Sequence, residues 1–425
     1  MVEAPRPEDH INPHSRPSEL RITDMRVANL TGLPMDCSII RIDTNQGISG
    51  YGEVRDWASP IYALMLKRQI MGENPCNVDK LFRKIKQFGH HARQGGGVCG
   101  IEMALLDLAG KAYGVPAYML AGGKFRDQVL CYCDTPSVPD GTQMGKRLKA
   151  RMDAGFRFLK MDVGIDLLRG IPGALIAPPE MIESRGVMHP FTGIQITQIG
   201  IDALVEYVRA VRAEIGYEVP LAVDHFGHIG IESCIRLGQA LDPFTLAWYE
   251  DMVPWQFTDQ YVRLSQSVNT PVCTGEDIYL KEGFLPLLKA RAVAVIHPDL
   301  ATSGGILETK KIGDLAQEYG VAMAMHMAGS PISALANVHC AAATENFLVL
   351  ENHSVDLPWW SDLIEGLPKP LIQDGFITVP ETPGLGFTDI NEDAFRAHQD
   401  TRSPMFFDQP TSMWDAAGSH DRLWS

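Results

Sequence analysis

Six segments of this chain end in an acidic or imidazole side chain: Ala222-Val223-Asp224, Ala247-Trp248-Tyr249-Glu250-Asp251, Val272-Cys273-Thr274-Gly275-Glu276-Asp277, Val295-Ile296-His297-Pro298-Asp299, Met323-Ala324-Met325-His326 and Leu348-Val349-Leu350-Glu351. Their terminal residues recur about 25 residues apart, slightly under one-eighth of the usual length of a (β/α)₈ barrel. The stretches between them carry helix-like apolar periodicity. A run of solvated surface acids is the bland alternative, since exposed Asp and Glu are common. Apolar strands with polar ends at this spacing instead predict a parallel barrel whose strand-end residues meet at one mouth. Carboxylates crowded there repel one another unless a cation neutralises them, so Asp224, Glu250 and Glu276 ask for a metal. With oxygen donors and no neighbouring Cys or His pair, Mg²⁺ is the expected ion.

At 425 residues, the chain has room for a barrel and a smaller companion domain. Its net charge of −15 argues against nucleic acid or anionic membrane as partner. An anionic substrate would need local help from the metal and a few Lys or Arg. The eight cysteines form no CxxC pair, and Cys131 and Cys133 lie on one face of a predicted strand, so reduced thiols in the cytoplasm are expected. No apolar run is long enough to span a membrane, and the N-terminus lacks the pattern of a signal peptide. Residues 1–18 read as an N-terminal arm, flexible or in contact with another subunit.

From residue 19 to 135 the pattern is strands and then helices, an α+β domain. Runs at Ile22 to Leu30 and Cys37 to Ile42 lead into the glycine turn Gly50-Tyr51-Gly52-Glu53. Helices are predicted over Ser59 to Ile70, Asn77 to Phe88 and Cys99 to Tyr113. The glycines at 95–97 lack a GK[ST] ending and a preceding strand, so they are not a phosphate loop. Asp107 and Lys111 read as a surface or interdomain pair.

The barrel is expected over 136–365. Its strand Phe156 to Asp162 carries Lys160 and Asp162 on one face, either at a site or as a structural pair. Residues 164–200, rich in Gly and Pro, form a long insertion leaving that strand, read as a lid with Arg169, Arg185 and His189 as candidate substrate contacts; an oligomer contact is the alternative. His225 and His228, beside Asp224, could be ligands, acid catalysts or polar filler. His297 is a further candidate substrate contact. Residues 366–425 include a predicted β-hairpin at Pro370 to Val379, a return to the first domain at Pro383-Gly384-Leu385-Gly386, and a tail whose Trp414 and Trp424 suggest packing against a neighbouring subunit of a homo-oligomer.

From about Leu20 to Phe387 the chain resembles the enolase superfamily, in its mandelate racemase-like branch. The residues that carry the likeness are Gly50-Tyr51-Gly52-Glu53, Ile101-Glu102-Met103-Ala104-Leu105-Leu106-Asp107-Leu108 with Leu120-Ala121-Gly122-Gly123, and Pro298-Asp299 followed by Ser303-Gly304-Gly305-Ile306. The resemblance implies a modified (β/α)₇β barrel with an α+β capping domain, Mg²⁺ on Asp224, Glu250 and Glu276, and abstraction of a proton α to a carboxylate. It also implies His326 and Asp299 as a base dyad and Glu351 as a hydrogen-bond partner of the substrate carboxylate. Where the branch often has Lys-x-Lys, this chain has Lys160-Met161-Asp162, so the second lysine, usually a base, is absent. Members that dehydrate sugar acids can carry a His two residues after the first metal Asp; here Phe226 stands there.

The expected activity is Mg²⁺-dependent dehydration of a sugar acid, with His326 as base, Asp299 as its orienter, Lys160 near the substrate carboxylate, Asp162 beside the substrate, and His225 or His228 as acid. A racemase, epimerase or cycloisomerase is the alternative within this chemistry. A non-catalytic sugar-acid-binding protein is the alternative from another class.

Overall fold

The computed structural model describes residues 15–90, 95–177, 194–224 and 229–416. The capping domain begins with three antiparallel strands, β1 (Ile22–Leu30), β2 (Cys37–Thr44) and β3 (Ser49–Val54). One face of this sheet lies on the helix Gly95–Tyr113. That helix starts four residues earlier than the pattern predicted, because the three glycines belong to it. A Cβ at Gly97 would come within 2.1 Å of the Tyr62 carbonyl oxygen, and one at Gly52 within 1.9 Å of that of Gly100. The missing side chains let backbone pack on backbone. The helix expected over Ser59 to Ile70 is two single turns, Ile61–Leu64 and Lys67–Ile70. The second presents Lys67 inward, 2.6 Å from both Asp24 and Asp415.

The barrel starts with β4 (Gln128–Asp134) and β5 (Leu159–Asp162). A two-stranded ladder, β6 (Leu175–Ile176) with β7 (Gln195–Ile196), closes the base of the insertion. The barrel then continues through β8 (Leu221–Asp224), β9 (Tyr249–Glu250), β10 (Val272–Thr274), β11 (Val295–Ile296), β12 (Ala322–Met325) and β13 (Phe347–Asn352). All eight barrel strands run parallel, and β13 pairs with β4 to close the ring. Inward side chains, among them Tyr132, Phe158, Trp248, Val295 and Val349, fill the interior below the mouth, so the barrel is packed rather than a pore.

After the barrel, β14 (Phe376–Thr378) pairs antiparallel with β4. The predicted hairpin is thus reduced to a Gln373–Phe376 bridge, because its second arm joins the barrel instead. The return to the capping domain is fastened by Asp107. Its carboxylate accepts the Leu385 N–H at 2.8 Å and the Tyr51 N–H at 3.0 Å, and lies 2.7 Å from Lys111 Nζ. Trp414 is half-buried against this chain's own core, held there as Thr411 and Asp415 engage Lys67. Trp424 lies outside the described residues. No described helix is long and apolar enough to cross a membrane.

Candidate active site

Parallel pairing places Asp162 beside Asp224 at the ends of β5 and β8, and the strand ends around them converge on one mouth. Carboxylate oxygens of Asp224, Glu250 and Asp251 lie within 4.8 Å of one another. Lys160 is buried beside the first two, its Nζ 2.7 Å from Asp224, 3.0 Å from Glu250 and 2.9 Å from Glu351. Glu250 is held from below, its Oε2 accepting Trp248 Nε1–H at 2.7 Å and its Oε1 lying 2.8 Å from His297 Nδ1. Burial first, and then the carboxylates of Glu276, Asp224 and Glu250, push the Asp251 carboxyl well above its ordinary range. Acidic and imidazole groups here could hold a metal ion. The oxygen donors fit a hard divalent cation.

Asp299 and His326 sit on neighbouring strand ends, joined by a parallel bridge. Asp299 caps the short helix Leu300–Ser303, with Oδ1 accepting the Ala301 N–H at 2.7 Å, which leaves Oδ2 for His326 Nδ1 at 2.6 Å. The other ring nitrogen, Nε2, faces Glu276 Oε2 at 3.3 Å. Burial opposes a charge on His326, but Glu276 and the Asp299 hydrogen bond outweigh it and raise its pKa to about 10. A cation drawing on Glu276 would relieve that pull and leave a neutral, competent imidazole.

Arg55, just past β3, reaches from the capping domain into this mouth. Its guanidinium bonds Asp299, lies 3.0 Å from His326 Nδ1 and stands 3.5 Å from Glu276. Nothing in its local sequence marks it out; only domain docking does. In sequence Asp251 is a strand-end acid to which the pattern assigns no role. His353 also escaped the sequence reading, although it follows Glu351 by two residues and so shares its strand face. Its Nε2 lies 3.3 Å from Glu351 Oε1.

Burial would raise the Glu351 carboxyl, but Lys160, His353 and His326 overcome it and hold the group well below its ordinary range. An ionised Glu351 accepts hydrogen bonds and cannot donate one. His297 is fully buried beneath Glu250, its Nε2 2.8 Å from the Tyr132 hydroxyl. That is a supporting position rather than a substrate-facing one. Asp162 is half-buried and accepts a hydrogen bond from Ser137 at 3.3 Å. Arg169 pairs with Asp166 at the foot of the insertion. His225, His228, Arg185 and His189 lie outside the described residues.

Two family models match: "Mandelate racemase / muconate lactonizing enzyme, N-terminal domain" over residues 14–122 and "Enolase C-terminal domain-like" over 143–394. The chain belongs to the enolase superfamily, in its mandelate racemase-like branch. Within this family, the chain is 36% identical to a D-xylonate dehydratase of Haloferax volcanii, over 92% of each chain. It is 28% identical to a D-galactonate dehydratase of Ralstonia nicotianae, over 90% of this chain and 97% of that one. Among solved structures, a mandelate racemase/muconate lactonizing enzyme-like protein from Rubrobacter xylanophilus superposes with TM-score 0.79 at 31% identity, covering 91% of this chain and all (100%) of that one.

Proposed function

We propose that this member of the family is a Mg²⁺-dependent sugar-acid dehydratase, a hydro-lyase yielding a 2-keto-3-deoxy acid. The observation that carries the reading is the Asp299–His326 pair, in which the His326 Nε2 faces Glu276, in a chain 36% identical to a D-xylonate dehydratase. Asp224, Glu250 and Glu276 would hold Mg²⁺, which when bound supplies positive charge to the substrate carboxylate as the enediolate develops. His326 removes the α-proton through Nε2, while Asp299 fixes its tautomer through Nδ1. Lys160 adds a buried positive charge at the same end, and Glu351 accepts from substrate hydroxyls. The departing hydroxyl needs a proton donor, for which the sequence offers His225 and His228. With Asp162 in place of a second lysine, proton removal is one-sided, which favours elimination over inversion.

The lid role of the 164–200 insertion belongs to the same proposal: closing over substrate would exclude water. The eight unpaired cysteines support a reducing, cytoplasmic setting, and a homo-oligomer belongs to the same proposal.

The test is a panel of aldonic acids, D-xylonate and D-galactonate included, incubated with the full chain and Mg²⁺ in D₂O. A 2-keto-3-deoxy product with no α-epimer is expected. An α-epimer without keto acid would favour the racemase or epimerase reading. Binding without exchange or product would leave a non-catalytic sugar-acid-binding protein.

A further inference from the structure

The mouth holds a second imidazole–carboxylate pair besides Asp299–His326. β13 and β4 are paired neighbours, with Asn352 opposite Cys133, and the next residue of each, His353 and Asp134, also meet. His353 Nδ1 lies 3.4 Å from Asp134 Oδ2, and Nε2 lies 3.3 Å from Glu351 Oε1. Its ring meets that of His326 edge-on, with centroids 5.6 Å apart. The two imidazoles thus stand on adjacent strands, each with its Nδ1 toward a carboxylate and its Nε2 toward Glu351; for His326 that last distance is 4.0 Å.

An independent observation indicates that a ligand belongs between them. Among the described residues, His353 Nε2 and both Glu351 oxygens are buried with no aligned hydrogen-bond partner. Buried polar atoms are normally satisfied; Glu351 Oε1 has the Lys160 charge at 2.9 Å, but no well-aligned hydrogen bond reaches any of the three atoms, and a polyhydroxylated molecule would supply such bonds. Burial works against a charge on His353, yet Glu351 and Asp134 outweigh it and raise its proton affinity.

We propose that His353 is the general acid of the elimination, giving its Nε2 proton to the hydroxyl that leaves the β-carbon. This rests on the dehydratase reading above. His326 takes the α-proton, and the C–H electron pair passes into the enediolate. Those electrons then form the Cα–Cβ double bond as the Cβ–O bond breaks, and the leaving oxygen takes the His353 proton and departs as water. The enol product ketonises by moving its hydroxyl proton to Cβ. His326 ends protonated and His353 neutral, so one proton returned through solvent resets the pair. Asp134 holds the His353 ring as Asp299 holds that of His326, and acid and base occupy separate positions on one substrate.

The test uses the full chain with Mg²⁺ and the aldonic acid that the wild type dehydrates, comparing wild type with His353→Gln. Dehydration should fall by about 100-fold or more, the typical worth of a positioned acid, while α-proton exchange in D₂O stays within about tenfold of wild type, in keeping with an intact base. A substrate bearing fluorine in place of the β-hydroxyl expels fluoride without a proton donor, and the variant should eliminate it within about tenfold of wild type. Dehydration unchanged in His353→Gln would overturn the acid role and return it to the imidazoles after β8. Parallel loss of dehydration, exchange and fluoride elimination would also overturn it, making His353 a structural residue. Absence of keto acid from the wild type itself would instead remove the dehydratase reading.

Discussion

Glu53 accepts the Ser330 backbone N–H at 2.9 Å, tying the last strand of the capping domain to the loop four residues beyond His326. The carboxyl is buried, and burial is what raises its pKa to about 8. Gly329 makes the approach possible, since a Cβ there would fall 1.7 Å from Glu53 Oε1. Glu53→Ala should cost about 1–3 kcal/mol by leaving a buried amide unpaired. Hydrogen exchange at Ser330 should quicken and the thermal midpoint should fall. Unchanged protection at Ser330 would mean that the bond adds nothing to domain docking.

Lys160 is the buried counter-charge to Asp224, Glu250 and Glu351. Lys160→Met should destabilise the cation-free protein by about 3–5 kcal/mol, the usual cost of breaking a buried ion pair by removing one partner. Added Mg²⁺ should then raise the thermal midpoint more in the variant than in the wild type, because it replaces the missing charge. Equal gains would show that the ion and Lys160 answer to different carboxylates.

Glu276 and Asp251 differ in what already engages them. Asp251 Oδ1 takes the Thr274 hydroxyl at 2.5 Å, whereas the close polar contacts of Glu276 among the described residues are with Arg55 and His326. Glu276→Gln should therefore weaken Mg²⁺ binding by about tenfold or more in calorimetry, roughly 1.4 kcal/mol, and Asp251→Asn by less. The reverse order would make Asp251 the third ligand.

His339 is fully buried, with Nδ1 accepting the Tyr118 N–H at 3.3 Å, and burial lowers its pKa from 6.5 to about 4. Between those values the unfolded chain binds the proton and the folded chain does not, so stability should fall as pH drops from 6.5 towards 4. The loss from this one group should approach about 3 kcal/mol. His339→Gln should flatten the dependence of unfolding free energy on pH across that window. An identical slope in the variant would refute the assignment.

Much of the fold was legible in the chain because its information is local. The run Ile22 to Leu30 is β1 residue for residue, since alternating apolar residues bounded by polar turns suit a sheet with one buried face. Asp224 and Glu250 close β8 and β9 as their pattern predicted, and Asp299 and His326 meet just beyond the ends of β11 and β12. Less legible was the Pro370 to Val379 stretch: its turn chemistry is that of a hairpin, but the start of β4 at Gln128 to Leu130, ahead of its pairing with β13, captured the second arm.

The sequence by itself determined the kind of chemistry present, because a strand end repeated at a steady interval brings its polar residues to one mouth whatever the details of packing. Tertiary structure decided who partners whom. Arg55 enters the site only because the capping domain docks over it. His297, a strand-end residue like the others, faces down and supports Glu250. His353 meets Asp134 only because β13 closes on β4, 219 residues away in the chain (353 − 134). These pairings depend on ring closure and domain contact, which bring together residues whose neighbours in sequence carry no trace of one another.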